Sequence, residues 1–402
     1  MAEAVPMVQT RVELNTGKAM QAPHITRLRL AQFRSHAAVD ISCAAGTVIL
    51  TGENGVGKTN VLEAISMLAA GRGLRSGQLD EMIKTQGDGW NVLADIQGPS
   101  GEMRVRVDYE SGGSGRRVRI DGETARGFDL LNEVLPQLWL TPAMDRLFTD
   151  GASGRRKFLD RFAQTLDAGL SRHLSQFEKA MRERNKLLQT PGTPFAQNSW
   201  LDGLEDTMAL QGVAVAAARL SALDTLAQGL VQMPDNAFPR AGVALEGAME
   251  AALRQQSALE VEDQYRGQLA ASRALDASAG RALHGPHRSD LQVSYEAKNM
   301  PASACSTGEQ KALLVGLILA QARSVAARIG DVPLLLLDEV AAHLDANRRA
   351  ALADILSDLG GQSWITGTDV EIFSGFGDSV THVDFSKPLG PAGDATTLQP
   401  NA

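Results

Sequence analysis

One stretch constrains this chain more than any other: Gly52-Glu53-Asn54-Gly55-Val56-Gly57-Lys58-Thr59. It fits G-x-x-x-x-G-K-[ST], the phosphate-binding loop, whose glycines let backbone N–H groups face phosphates at a helix N-terminus. Both flanks suit it. Val48-Ile49-Leu50 supply a buried strand before the loop, and Val61, Leu62, Ile65 and Leu68 recur at helical spacing after it. On this reading Lys58 reaches the β- and γ-phosphates of a nucleotide and the Thr59 hydroxyl ligates Mg²⁺. Such a loop needs an acidic partner on a neighbouring strand. Leu334–Leu337 suits a central strand buried on both faces, and Asp338-Glu339 ends it. Asp338 is placed to hold Mg²⁺ through water, and Glu339 to polarise an attacking water.

Lys58 and Asp338 stand 280 residues apart, more than a compact nucleotide-binding domain needs. An excursion therefore leaves one domain and returns to it. The 402 residues allow two or three domains at roughly 100–200 residues each. We expect an N-terminal extension without order over 1–24, then a strand-rich block over 25–150. In it Met103, Val105, Val107 and Tyr109 alternate with Glu102, Arg104, Arg106 and Asp108, and Gly112–Gly115 makes a turn, as in an antiparallel meander. Residues 151–284 change to Ala-, Leu-, Gln- and Arg-rich segments without strand alternation, with Leu220, Leu223, Leu226 and Leu230 at helical spacing. Ser199-Trp200-Leu201-Asp202 has the form of a helix start, and breaks fall at Thr190–Pro194 and around Pro234 and Pro239. This block reads as an all-helical arm without sustained heptads. Residues 285–386 return to alternating strands and helices, and 387–402 read as a tail. The fold class is α/β: a nucleotide-binding lobe with a mixed sheet and an antiparallel strand subdomain, plus a helical arm lobe inserted in the chain.

Ser306-Thr307-Gly308-Glu309-Gln310-Lys311 stands 32 residues before Asp338 and opens the apolar helix Ala312–Ala327. A Ser-x-Gly-Glu start is an anion site made of a hydroxyl, a flexible backbone and a positive helix end. Here the chain resembles the ABC-type ATPases. The resemblance implies that Ser306, Gly308 and Glu309 cap the ATP held by a second copy, so that two chains sandwich two ATPs. Ala342-His343-Leu344-Asp345 resembles that family's D-loop, which places His343 and Asp345 along the dimer interface. Phe33-Arg34-Ser35-His36 resembles the first hairpin of SMC-like DNA-repair ATPases, where the arginine approaches the nucleotide phosphates. Pro142–Asp145 with Gly151–Asp160, and Gly285–Asp290, resemble further motifs of the recombination-mediator branch, except that Ala143 stands where an acid is expected. The family's switch histidine is absent, with Ile365-Thr366-Gly367-Thr368-Asp369 in its place, which implies slow hydrolysis. The resemblance runs from Ile25 to about Phe385. It implies ATP and Mg²⁺ as cofactors and a weak, DNA-stimulated ATPase. The partners it implies are a second copy, DNA (gapped, single-stranded and duplex), and RecR and RecO, with which it helps RecA displace single-strand-binding protein. Two alternatives stand beside this reading: another SMC-like DNA-repair ATPase, nuclease-linked or structural, and a transporter ATPase subunit.

Composition sharpens the DNA question. With 39 basic and 47 acidic residues the net charge is −8, which taken alone argues against nucleic acid or an anionic membrane. Yet Arg155 to Lys186 holds nine basic and four acidic residues, while Asp331 to Asp358 holds six acids and two basics. The basic part lies where the arm begins, and Arg155, Arg156, Lys157, Lys179, Arg182 and Arg184 are the candidate DNA contacts, gripping phosphates without sequence preference. For Arg155 and Arg156 the alternative is structural pairing with Asp160 or acids in the core. One chain is expected to hold DNA weakly, and two brought together by ATP to hold it better. No aromatic platform for stacked bases is evident among 18 aromatics. Two cysteines are too few for a disulfide scaffold, and His287 and His343 lack clustered partners for a metal. The apolar run Ala312–Ala322 falls short of the ~18 residues of a membrane span, no signal peptide is recognisable, and a cytoplasmic location without membrane is expected.

Overall fold

The computed structural model describes residues 22–125, 127–190, 199–233, 237–377 and 380–386. The expected extension lies outside the described residues up to 21, as does the expected tail from 387; most of the break after Thr190 and the first part of the break at Pro234 lie outside them as well. The chain enters through β1 (His24–Phe33), β2 (His36–Ser42) and β3 (Thr47–Thr51), then turns into α1 (Lys58–Ser66). It continues through β4 (Gly89–Gly98), β5 (Gly101–Glu110), β6 (Arg117–Ile120) and β7 (Glu123–Thr124) to a short α2 (Asp129–Val134) and β8 (Gln137–Leu140). Next come α3 (Ala152–Leu166), α4 (Leu170–Leu188), α5 (Ser199–Gln232), β9 (Ala241–Glu246), α6 (Ala248–Leu253), α7 (Ala258–Ala271) and α8 (Arg273–Ala279). The last stretch holds β10 (Asp290–Tyr295), β11 (Met300–Pro301), α9 (Thr307–Ile329), β12 (Leu334–Leu337), α10 (Ala346–Leu359), β13 (Ser363–Thr366) and β14 (Val380–Asp384).

Parallel and antiparallel pairing are kept in separate sheets. A parallel sheet runs β14-β3-β13-β12-β8, and antiparallel sheets run β2-β1-β4-β5-β6-β7 and β11-β10-β9. The four leucines of β12 show why the parallel sheet sits in the centre. Leu335 and Leu337 join Ile49, Leu138 and Ile365 in one core with residues of α3, α5, α9 and α10; Leu334 and Leu336 join Val48, Leu50 and Trp364 in a second core beneath α1 and the six-stranded sheet. An uninterrupted apolar strand is thus accounted for by cover on both faces. A third cluster, built on Phe177, Met208, Val261, Tyr265 and Leu269, holds the helices of the arm together.

Two expectations are corrected here. The arm is not all helix: β9 pairs antiparallel with β10 from Ala241↔Tyr295 to Glu246↔Asp290, tying the arm region to the later part of the chain. Its Ala- and Gly-containing sequence carries little strand signal. Gly242 fits because a Cβ there would lie 2.6 Å from Ser294 Oγ, so tertiary pairing overrides local propensity. The apolar run at Ala312–Ala322 also belongs to a longer unit, α9, whose 23 residues include a window with mean hydropathy 1.5. By length and composition it suits a membrane span, but 72% of that window is buried inside the protein, as a central core helix requires.

Candidate nucleotide site

The loop between β3 and α1 is shaped by glycines in left-handed backbone: Gly52 has φ +139°, Gly55 +89° and Gly57 +105°. Gly57 cannot be replaced cheaply, since a Cβ would lie 2.7 Å from Ser35 Oγ and on the His36 imidazole. No side chain caps the start of α1, so its first N–H groups are available to an anion. Lys58, only 5% exposed, donates from Nζ to the carbonyls of Gly52 (2.5 Å) and Glu53 (2.9 Å). Burial pushes its ammonium pKa down, against the charges of Glu339 and Asp338 that hold it up.

Strand order brings the acids to this loop. β13 lies between β3 and β12, with Thr366 beside Leu50 and Ile365 beside Leu337. Asp338 therefore emerges next to the loop, where Thr59 Oγ1 donates to its Oδ1 (2.9 Å) and Oδ2 (3.1 Å). Thr366 Oγ1 donates to Asp338 Oδ1 at 2.8 Å and accepts from the Glu339 N–H, also at 2.8 Å. Glu339 is in left-handed backbone, φ +53°. Burial raises the Asp338 pKa, while the Thr366 and Thr59 hydroxyls stabilise its charged form. Thr366 is thus the residue that sequence reasoning missed, although it sits inside the Ile365–Asp369 segment where the histidine is lacking. Oxygen donors from Thr59 and Asp338, side by side, fit a hard cation such as Mg²⁺.

The first hairpin lies on the flank of this loop. His36 Nε2 is 3.0 Å from the Gly57 carbonyl, its pKa lowered by burial, and Asn60 Nδ2 donates to Ser35 Oγ at 2.8 Å. Arg34 is turned elsewhere. Its Nε and Nη2 donate to the buried Glu63 carboxylate of α1 (2.9 and 2.8 Å), and Nη1 donates to the Glu81 carbonyl (2.7 Å). The expected phosphate ligand is here a clamp between hairpin and helix, because a buried carboxylate demands a cation.

Ser306 and Glu309 form a reciprocal capping box at the start of α9. Glu309 Oε2 accepts from the Ser306 N–H and hydroxyl, both at 2.9 Å, and Glu309 N donates back to Ser306 Oγ at 3.4 Å. Lys298 pairs with Glu309 and, with the Ser306 donors, brings its pKa down to about 2. Ser306 and Gly308 are exposed, and a Cβ on Gly308 would meet nothing. Among the described residues the Ser306 side chain bonds only to Glu309 and not to the phosphate loop of its own chain. One turn on, Lys311 pairs with Asp145 at 2.9 Å beside a small cavity also lined by Asp338 and Glu339. Asp345 caps α10 by accepting from the Arg348 N–H (2.9 Å) and is largely exposed. His343 ends the short turn Ala341–His343, and its side chain lies outside the described residues.

The basic segment divides sharply. Arg184 is 0% exposed, paired with Glu205 (2.9 Å) and Asp276 (2.7 Å) and donating to the Leu269 carbonyl (2.7 Å). It has no surface to offer DNA, and that expectation is withdrawn. Arg155 makes a bidentate pair with Asp290 (2.8 and 2.9 Å), and Arg156 donates to the Ser289 carbonyl (2.7 Å). Both bind the return of the chain from the arm rather than facing outward, with Asp290 as the acid for Arg155 while Asp160 pairs with Arg219 (2.6 Å). Lys157, Lys179 and Arg182 remain exposed.

Comparison with known proteins follows the same outline. Residues 24–387 match the model of the RecF/RecN/SMC N-terminal domain. The chain is 48% identical over 355 residues to the DNA replication and repair protein RecF of Mesorhizobium japonicum, covering 87% of this chain and 93% of that protein. Among solved structures, the recombination mediator protein RecF-ATPγS complex of the RecFOR pathway superposes with a TM-score of 0.78 at 21% identity, over 90% of this chain and 97% of the other. An Smc head bound to the C-terminal winged-helix domain of ScpA superposes with a TM-score of 0.52 at 14% identity, over 90% and 94%. These two likenesses speak to the fold alone.

Proposed function

The chain belongs to the RecF family of DNA replication and repair proteins, and on that premise we propose that it is an ATP-dependent DNA clamp acting at single-strand gaps. The observation that carries the proposal is a divided site. Gly52–Thr59, Asp338, Glu339 and Thr366 are assembled within one chain, whereas the helix start at Ser306–Gly308 is exposed and the Ser306 side chain bonds only to Glu309 among the described residues. Two copies placed head to tail satisfy both halves. Gly52, Glu53, Asn54, Gly55, Val56 and Gly57 cradle the phosphates with backbone N–H groups, and Lys58 exchanges the loop carbonyls for the β- and γ-phosphates. Thr59 and Asp338 hold Mg²⁺, which when bound supplies charge neutralisation on those phosphates. Glu339 orients water, and Ser306 and Gly308 of the second copy close over the γ-phosphate. Glu309 keeps Ser306 in place, with His343 and Asp345 at the junction.

In this reading residues 25–150 and 285–386 form the ATPase lobe, and 151–284 the arm. Hydrolysis is weak and DNA-stimulated and reopens the clamp. RecR and RecO are the partners through which RecA loading is assisted, and the location is cytoplasmic without a membrane. Binding of gapped, duplex and single-stranded DNA, each with and without ATP and Mg²⁺, tests the proposal. ATP should tighten binding to gapped DNA, and Lys58→Ala should remove the gain. Equal affinity with and without ATP in the wild type overturns the clamp.

A further inference from the structure

Removing Arg155, Arg156 and Arg184 from the candidate DNA contacts leaves a better-defined surface on α4. At about 100° per residue, the buried residues Leu170, Phe177, Ala180, Arg184 and Leu188 fall on one side of this helix. Arg172, Lys179, Arg182 and Lys186 are all exposed and fall on the opposite side, within about 80° of one another. Orientation is fixed from beneath: Arg184, held by Glu205 and Asp276, pins the buried side to α5 and α8. The outward cations therefore cannot roll inward. Arg182 makes a loose 3.5 Å pair with Glu178, and Glu183 borders the line; Lys179 and Lys186 make no ion pair among the described residues.

We infer that this face of α4 is a rigid track for the phosphate backbone of duplex DNA. Arg172 to Lys186 spans about 21 Å at ~1.5 Å per residue, a length over which duplex DNA carries roughly 12 negative charges. The partner is set by charge, by straightness and by what is missing. The apolar residues of α4 point inward, so the face offers phosphate contacts and no aromatic on which unpaired bases stack. Sequence readout is absent from such a surface, and salt dependence is its signature.

The inference rests on the DNA-binding reading above, and the test separates the two. A labelled duplex is titrated with the full chain, ATP and Mg²⁺ from about 50 to 200 mM salt. The triple variant Lys179→Gln, Arg182→Gln, Lys186→Gln is compared with wild type and with Arg328→Gln, an exposed cation in the last turn of α9, outside the line. Loss of three contacts at ~0.9 each should flatten the slope of log affinity against log salt by about 2.7, making binding roughly 40-fold less sensitive over that range. Arg328→Gln should leave the slope unchanged, and ATP binding should be the same in all three proteins. A triple variant with the wild-type slope overturns the track while leaving the clamp intact. A wild type that fails to bind duplex at any salt overturns both.

Discussion

Replacing Arg184 with methionine isolates the structural role of a cation that sequence alone assigns to DNA. Its guanidinium is completely buried and meets Glu205, Asp276 and the Leu269 carbonyl. After the substitution Glu205 keeps its contacts to Arg273 (3.0 and 3.2 Å from Nε). Asp276 retains the Ser272 hydroxyl (2.9 Å) and the Leu283 N–H (3.0 Å) but loses its cation. Breaking a buried pair by removing one partner costs about 3–5 kcal/mol. Because one of the two acids stays paired, we expect the lower end, about 3 kcal/mol. Hydrogen exchange of the α4, α5 and α8 amides, followed against urea, reads the loss where it occurs. Arg182→Met, on the exposed side of the same helix, should change stability by less than about 0.5 kcal/mol. An Arg184→Met effect below about 1 kcal/mol would refute the buried network as the support of α4.

Three further outcomes follow from the nucleotide site. Thr366→Val removes the hydroxyl joining Asp338 to the Glu339 N–H; a hydrogen bond to a charged group is worth about 1.5–3 kcal/mol, so phosphate release should fall about 10-fold or more, with Thr366→Ser largely sparing it. Gly57→Ala must place a Cβ on His36 and Ser35 in left-handed backbone, and should abolish binding of a fluorescent ATP analogue while leaving the arm helices intact by hydrogen exchange. The Glu309 carboxyl is held at about 2 against an ordinary 4.5. Its contribution to the start of α9 is therefore full above the ordinary value and is lost as pH falls through about 2. Lys298→Met should move its NMR titration up, toward the ordinary range.

Much of the site was legible because its chemistry is local in sequence. A phosphate loop needs its glycines and lysine within a few residues, and Asp338-Glu339 needs only a strand before it. What stayed hidden depends on neighbours distant in the chain. Thr366 acquires its role only because β13 is inserted between β3 and β12. Arg34 is drawn to Glu63, and Arg155 to Asp290, by partners 29 and 135 residues away. Net charge was the least informative feature, because the count treats the buried Arg184 and the exposed Lys186 alike. Strand β9 was missed for a related reason: its alanines and glycine form a strand only because β10 is there to pair with it.

The central claim is that the site is completed by a second copy. Sedimentation velocity of the full chain, with and without ATP and Mg²⁺, tests it most directly when wild type is compared with Ser306→Arg. The wild type should shift from monomer to dimer on adding ATP. Ser306→Arg, altered at the exposed helix start proposed to serve the partner's nucleotide, should still bind ATP and remain monomeric. A Ser306→Arg protein that dimerises with ATP as the wild type does would contradict the account.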